Sequence, residues 1–299
     1  MSRDAAKQLE LQNKLNNPPH VRFLVGDIRD ADRIATACED VDIIFHVAAF
    51  KHVPQGEYNP FEVIQTNIIG TQNILSTALK TPSVTHFVMI STDKAVQPVS
   101  TMGASKLLAE RLVTGAHYMK GAKNKTFTTV RFGNVLGTSG SVIPLFQEQA
   151  KRGEITITHP EMTRFFMTTH DAVNLVLEAL GLAKGGENFV LKMPALTIKD
   201  LAEVCAKRFS SSPVSIKISG IRPGEKLHES LLTSEEARST VETDNLFIII
   251  PQIEIGNIKF KEYTYPSSRP LVSEIYSTQK ASHLSQKEIA MLLDRAGIS

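Results

Sequence analysis

Apolar and polar positions alternate along the chain with two different periods, and the changes of period mark out its elements. Asp4 to Leu15 reads as a helix that breaks at Asn16-Asn17-Pro18-Pro19. Val21 to Val25 predicts a strand ending at Gly26-Asp27, and Asp30 to Cys38 predicts a short helix. In the strand predicted over Asp42 to Val47, Ile43, Ile44 and Phe45 are consecutive, so it is apolar on both faces, as buried parallel strands are. Phe61 to Leu79 follows as a long amphipathic helix, Phe87 to Ser91 as a strand, and Met102 to Thr114 as a helix. Thr126 to Arg131 is another strand, β-branched at 126 and 128 to 130. Strands alternating with helices in this way predict right-handed βαβ units and a parallel sheet.

From about Gly133 the pattern becomes mixed. Helices are predicted over Ile143 to Arg152, Asp171 to Leu182 and Ile198 to Phe209. Strands are predicted near Ile155 to Thr158, over Asn188 to Lys192 and over Val214 to Ile218. Tyr263 to Pro270 is rich in turn formers, and Ser285 to Ala296 is a closing helix capped by Ser285 and ended at Gly297. The expected fold class is α/β. A Rossmann-like, doubly wound parallel sheet would occupy residues 1–135. A smaller α/β substrate-binding lobe would occupy most of 136–299, interleaved with the last elements of the sheet.

Bulk properties narrow the function without choosing it. A length of 299 residues allows about two domains, or one with a cap. The hydrophobic content of 42% with 21% charged residues is ordinary for a globular protein. A net charge of +2 gives no reason to expect nucleic acid or an anionic membrane as partner. Lys184, Lys192, Lys199, Lys207 and Arg208 are scattered and read as solvated faces. Cys38 and Cys205 are far apart and outside any metal-ligand spacing, so they read as buried thiols in a reducing, cytoplasmic compartment, with no metal expected. No apolar run approaches the roughly 18 residues of a membrane span, and Met1 to Asn17 is too polar for a signal peptide.

The chemistry concentrates in one place. Ser91-Thr92-Asp93-Lys94 emerges at the carboxyl end of a predicted strand, where open α/β sheets bind their ligands. Met102 and Lys106 fall at i and i+4 on one face of the next helix. A carboxylic acid, an amine and a second lysine converging there suit proton transfer. The competing explanation is a salt-bridged Asp-Lys pair at a strand end.

The block Ser-Thr-Asp-Lys-Ala followed by Met102-Gly-Ala-Ser-Lys106 resembles the CapD-like polysaccharide-biosynthesis proteins of the extended short-chain dehydrogenase/reductase superfamily, including inverting UDP-N-acetylglucosamine 4,6-dehydratases. Further matching pieces are Ser2-Arg3-Asp4, Gly26-Asp27-Ile28-Arg29-Asp30, His46 to Pro54, Thr66 to Thr71, Arg131 to Val135, Gly140 to Pro144, Met162 to Phe165 and Arg222 to Lys226. The resemblance implies NADP as cofactor, with NAD as the alternative. Arg3 would pair with the 2′-phosphate, and Asp27 and Ile28 would line the adenine pocket. Ala48 and Ala49 would let the cofactor backbone approach, Lys51 would face cofactor or substrate phosphate, Asn67 would brace the site, and Lys106 would bind the nicotinamide ribose. It also implies catalysis by Thr92, Asp93 and Lys94, with Asp93 as acid for the departing hydroxyl and Lys94 as base. That base needs a pKa lowered by burial or by a cation such as Lys106. Met102 stands where most of the superfamily has a tyrosine, so the C4 hydroxyl proton must go elsewhere, to Asp93 or to water. Asn134, Ser141, Val142, Arg164, Arg222 and Glu225 would form the UDP-sugar site, the two arginines matching the diphosphate.

Relatives of this kind begin with a strand, a Gly-rich turn and a helix before the Ser-Arg-Asp, which here sits at residues 2 to 4. The expectation is therefore an N-terminally truncated or mis-started chain whose first strand and Gly-rich turn are missing. The leading expected function is NADP-dependent 4,6-dehydration of UDP-N-acetylglucosamine in surface polysaccharide or glycan biosynthesis, by a cytoplasmic enzyme whose relatives assemble as homo-oligomers. The alternatives are a UDP-sugar 4-epimerase and a non-catalytic fragment.

Overall fold

A computed structural model describes residues 1–138, 140–252, 263–271 and 275–298. Its centre is a seven-stranded sheet. Ile43–His46, His86–Thr92, Thr126–Phe132 and Asn188–Leu191 lie side by side in that order, all parallel. Leu246–Ile249 then joins antiparallel, followed by Thr240–Glu242 and Arg269–Pro270. Alternate residues of a strand face opposite sides of the sheet, and each side has its own helices. Phe87, Met89 and Phe127 pack with Ile74, Leu75, Ala109 and Val113 from the helices Gly70–Lys80 and Thr101–Met119. Val88, Val130 and Phe189 pack with Leu175 and Ala179 of Thr169–Leu182 on the other side. The sandwich is Rossmann-like, as the strand and helix alternation predicts.

A separate apolar cluster is built by the helices Val142–Lys151, Ile198–Phe209 and Gln286–Arg295 around Phe146, Leu201, Ile289 and Leu293. The parallel pair Glu154–Ile157 and Ser215–Ile218 closes one side of it through Ile155 and Ile157. Arg208, expected on a solvated face, instead donates to the Asp294 carboxylate at 2.6 Å and to the Ala290 and Ile298 carbonyls. A guanidinium is well suited to the unpaired carbonyls at a helix end, and Arg208 uses it to hold the last helix. Lys192, also expected to be solvated, donates to the Glu242 carboxylate at 2.8 Å and to the Thr243 carbonyl.

Three expectations are corrected at the amino-terminal side. Val21 to Val25 forms no strand, only a bridge in which Ser2 N donates to the Leu24 carbonyl and Gly26 N to the Ser2 carbonyl. One bridge supplies too few backbone bonds to make a ladder. Ile43–His46, apolar enough for burial, lies at the sheet edge, and Ile43, Phe45 and Val47 are exposed. The helix expected over Phe61 to Leu79 is three segments in one rod, Pro60–Ile64, a π-helical turn over Gln65–Ile69, and Gly70–Lys80. Among the described residues no helix is long and apolar enough to cross a membrane.

Candidate active site

The strand His86–Thr92 delivers its carboxyl end into a 3-10 turn, Asp93–Ala95. Thr92 donates its hydroxyl to Asp93 Oδ1 at 2.9 Å, and Lys94 Nζ donates to the same oxygen at 2.9 Å. Asp93 is fully buried, and its other oxygen, Oδ2, has no hydrogen-bond partner among the described residues. The turn is held against the start of the helix Thr101–Met119, which Ser100 caps by accepting from Gly103 N at 3.1 Å. Gly103 is required there, because a Cβ at this position would collide with the Lys94 carbonyl.

Lys94 faces two carboxylates, Asp93 at 2.9 Å and Glu229 at 3.9 Å, and also feels the charge of Arg164. Burial works against its charged form, but the two carboxylates outweigh burial and hold its pKa above the usual lysine value. The expectation of a lowered pKa is thus corrected, and Lys106 is not the cation beside it. Lys106 Nζ instead donates to the Ile90 carbonyl at 2.6 Å, further back along the strand. Burial pulls the Lys106 pKa down to about 8, against the opposing pull of Glu110. Met102, one turn before Lys106, is buried.

Asn67 sits in the π-helical turn and is buried. Its Oδ1 accepts from Phe50 N at 2.7 Å, and its Nδ2 donates to the Phe50 carbonyl and to Ser105 Oγ. The side chain therefore ties the loop after the Ile43–His46 strand to the helix that carries Met102 and Lys106. The π-helical turn, a geometry common at functional positions, has Thr66 and Asn67 as its buried residues. His46 is buried with Nε2 2.8 Å from Thr71 Oγ1, and burial with the charge of Lys106 pushes its pKa down to about 3.

Five of the expected cofactor residues, Arg3, Asp27, Ile28, Ala48 and Ala49, line one cleft of about 700 Å³, together with Gly26 and Thr66. Asp27 is not a helix cap; Asp30 takes that role. The Asp27 carboxylate accepts from Arg29 N and from the Arg29 guanidinium and lies 3.8 Å from Arg3, whose side chain is mostly exposed. Lys51 is elsewhere, in a recess shared with Asn134, Ser141 and Val142.

All six expected sugar-nucleotide residues, Asn134, Ser141, Val142, Arg164, Arg222 and Glu225, line a second cleft of about 540 Å³. An adjoining recess of about 200 Å³ brings Lys94 and Glu229 together with Asn134, Arg164, Arg222 and Glu225. Arg164 is buried and donates to the carbonyls of Thr163, Lys226 and Leu227, which commits much of its fork to the protein rather than to a diphosphate. Arg222 is exposed and begins a turn closed by Glu225, with Gly224 at φ +76°. The residue that sequence reasoning missed is Glu229. It lies three positions beyond Lys226 and just before the buried strand Ser230–Leu232, and a carboxylate beside an apolar run was the available signal.

The family described as Polysaccharide biosynthesis protein matches residues 1–251. A Methanocaldococcus jannaschii protein described as an uncharacterized membrane protein is 47% identical over 95% of this chain and 83% of its own length. An inverting UDP-N-acetylglucosamine 4,6-dehydratase of Campylobacter jejuni is 42% identical over 85% of this chain and 74% of its own. A UDP-glucose 4-epimerase of Rickettsia rickettsii is 39% identical over 98% of this chain and 85% of its own. Among solved structures, Pen from Bacillus thuringiensis superposes with a TM-score of 0.92 at 40% identity, covering 100% of this chain and 89% of that one. The dTDP-glucose 4,6-dehydratase DesIV of Streptomyces venezuelae, solved with NAD and TYD bound, superposes at 0.66 and 25% identity over 72% of each chain.

Proposed function

The chain belongs to the polysaccharide biosynthesis protein family, in the CapD-like branch of the extended short-chain dehydrogenase/reductases, and we propose that it eliminates water from a UDP-N-acetyl-hexosamine with inversion at C5. The observation that carries this reading is the ion pair of buried Asp93 with half-buried Lys94, which lines the recess that reaches Arg222 and Asn134. The cleft from Arg3 to Ala49 fits the adenosine side of a nicotinamide dinucleotide. Ala48, Ala49 and Gly26 leave room for it, and Arg3 stands exposed on its rim as a cation for a 2′-phosphate, which favours NADP. DesIV carries NAD. When bound, the nicotinamide supplies the hydride chemistry, oxidising C4 of the sugar and later reducing C6.

The remaining steps are proton movements on the chain's own residues. The site rests as a Lys94 ammonium and an Asp93 carboxylate 2.9 Å apart. A sugar that fills the recess displaces most of the water around the pair and disfavours both charges. One N–H bond on Lys94 then breaks and one O–H bond forms on Asp93, leaving an amine beside a carboxylic acid. With a ketone at C4 the C5 proton is acidic, and Lys94 takes it. Asp93 gives its proton to the C6 hydroxyl, which departs as water, and both residues regain their resting charge. Met102 has no exchangeable proton, so the C4 hydroxyl proton passes to water. Once C6 is reduced, the enolate left at C5 takes a proton from water on the face opposite Lys94, which inverts C5 and restores the proton count.

A 4-epimerase reading has one observation in its favour, the similarity to the Rickettsia protein over nearly the whole chain. Incubating the full chain with UDP-N-acetylglucosamine and NADP separates the two. Dehydration yields a 4-keto-6-deoxy sugar lighter by one water, with deuterium at C5 when run in D2O. An epimer of unchanged mass overturns the dehydratase reading.

A further inference from the structure

Glu229 belongs to no role assigned so far, yet it is among the most buried carboxylates of the described residues. Its backbone is pinned by Thr278, whose Oγ1 accepts from Glu229 N at 2.9 Å and whose N donates to the Glu229 carbonyl at 2.8 Å. Its carboxylate reaches between two ammonium groups, Lys94 at 3.9 Å and Lys226 at 3.5 Å. Lys226 is itself fixed by donating to the Val96 carbonyl at 2.6 Å. Glu229 Oε2, like Asp93 Oδ2, accepts no hydrogen bond among the described residues. Lys94 thus faces the Oδ1 of Asp93 and the Oε1 of Glu229, and the other oxygen of each buried carboxylate is left without a hydrogen bond, which is costly unless the site gains from it.

We propose that Glu229 is a positioning residue for the acid–base pair, a second carboxylate that holds the Lys94 ammonium at the recess while it donates to Asp93. The inference rests on the dehydratase reading. Charge balance supports it. Asp93 and Glu229 match Lys94 and Lys226, while Arg164 is matched by Glu225 at 3.7 Å. Arg222 is the exposed cation at the mouth, and the neighbouring His228 points away, to Thr163 Oγ1 at 2.7 Å. Burial first, and the Asp93 charge second, raise the Glu229 pKa, so this carboxylate feels the other carboxylate that Lys94 faces.

The test is Glu229→Gln, which keeps the shape and removes the charge, in the full chain with UDP-N-acetylglucosamine and NADP. The expected result is a kcat lower by about tenfold or more with KM within about twofold, as for a group that tunes a proton transfer. The side-chain ¹⁵N ammonium resonance of Lys94, assigned through Lys94→Met, should shift or broaden, while the unfolding midpoint holds. If Glu229→Gln folds poorly, Lys226→Met, which releases Glu229, should reproduce both effects more weakly. Unchanged kcat and an unchanged Lys94 resonance overturn the proposal, as does a loss of stability in which kcat and KM worsen together. If the wild-type chain forms no 4-keto sugar but Lys94 still responds to Glu229, the reading of function falls and only the placing of Lys94 by Glu229 stands. Should dehydration proceed at full rate in Glu229→Gln, the reverse holds.

Discussion

Two buried charge clusters flank the same strand, and they are built differently. One is Glu110, Arg131 and Glu236. Arg131 donates to both Glu110 oxygens, to both Glu236 oxygens and to the Leu231 carbonyl, and is almost wholly buried. The other is Asp93, Lys94, Glu229 and Lys226. Both clusters border a recess, of about 320 Å³ and about 200 Å³, but among the described residues only this one leaves one oxygen of each carboxylate without a hydrogen bond. Ser91 and Thr92, consecutive in the strand, point to opposite faces and each donate a hydroxyl to one cluster, Ser91 to Glu110 at 2.5 Å and Thr92 to Asp93 at 2.9 Å. A closed network fixes a structure, whereas an open one of similar charge keeps acceptors in reserve for a substrate.

The largest effect expected is on stability, in the closed cluster. Arg131→Met strands two carboxylates against the sheet and should cost about 3–5 kcal/mol, read from the urea midpoint. Burial works to raise the Glu236 pKa, but Arg131 outweighs it and holds the carboxyl below its usual value. In Arg131→Met that hold is gone, so part of the loss should return as the pH falls and the carboxyl protonates. A variant as stable as wild type would break the comparison.

Next comes the open cluster. Asp93→Asn keeps the contact with Lys94 but removes the acid, and should lower the dehydration rate about 10²- to 10³-fold. Its urea midpoint should stay within about 1 kcal/mol of wild type, because Glu229 still faces Lys94. If Asp93→Asn instead unfolds the chain at full specific activity, the two clusters have exchanged roles.

Much of this contrast was legible in the chain itself, and the reasons for the rest are physical. The run Phe87-Val88-Met89-Ile90 announced a buried strand because hydrophobic burial is local in sequence, and Asp93-Lys94 at its end was visible with it. The helix Ile198–Phe209 lies where its periodicity put it. The strand Leu246–Ile249 is a similar four-residue apolar run that no expected element covers, and its antiparallel sense beside Asn188–Leu191 has no local signal in the sequence. The state of Lys94 could not be read, since its pKa depends on Glu229, 135 positions away, and on Lys106 turning to Ile90 instead. Arg164 was expected to face phosphate, but three carbonyls of the fold use its fork first.

The finest test uses the two hydroxyls. Ser91 is buried and donates a hydrogen bond to a carboxylate that Arg131 already satisfies, so Ser91→Ala removes a bond from a finished network. A hydrogen bond to a charged group is worth about 1.5–3 kcal/mol, and the fall in urea midpoint should lie at the lower end because Glu110 keeps its arginine. Turnover should not change. Thr92→Val keeps the shape of the side chain and takes its hydroxyl from Asp93, whose remaining partner is Lys94. Stability should then move by less than in Ser91→Ala, since Thr92 is partly exposed and water can replace it. The rate should fall by about tenfold, because the carboxyl that must pass a proton to the sugar loses one of the two contacts that aim it. Opposite outcomes at two adjacent residues would place the boundary between scaffold and chemistry within a single peptide unit; equal outcomes would erase it.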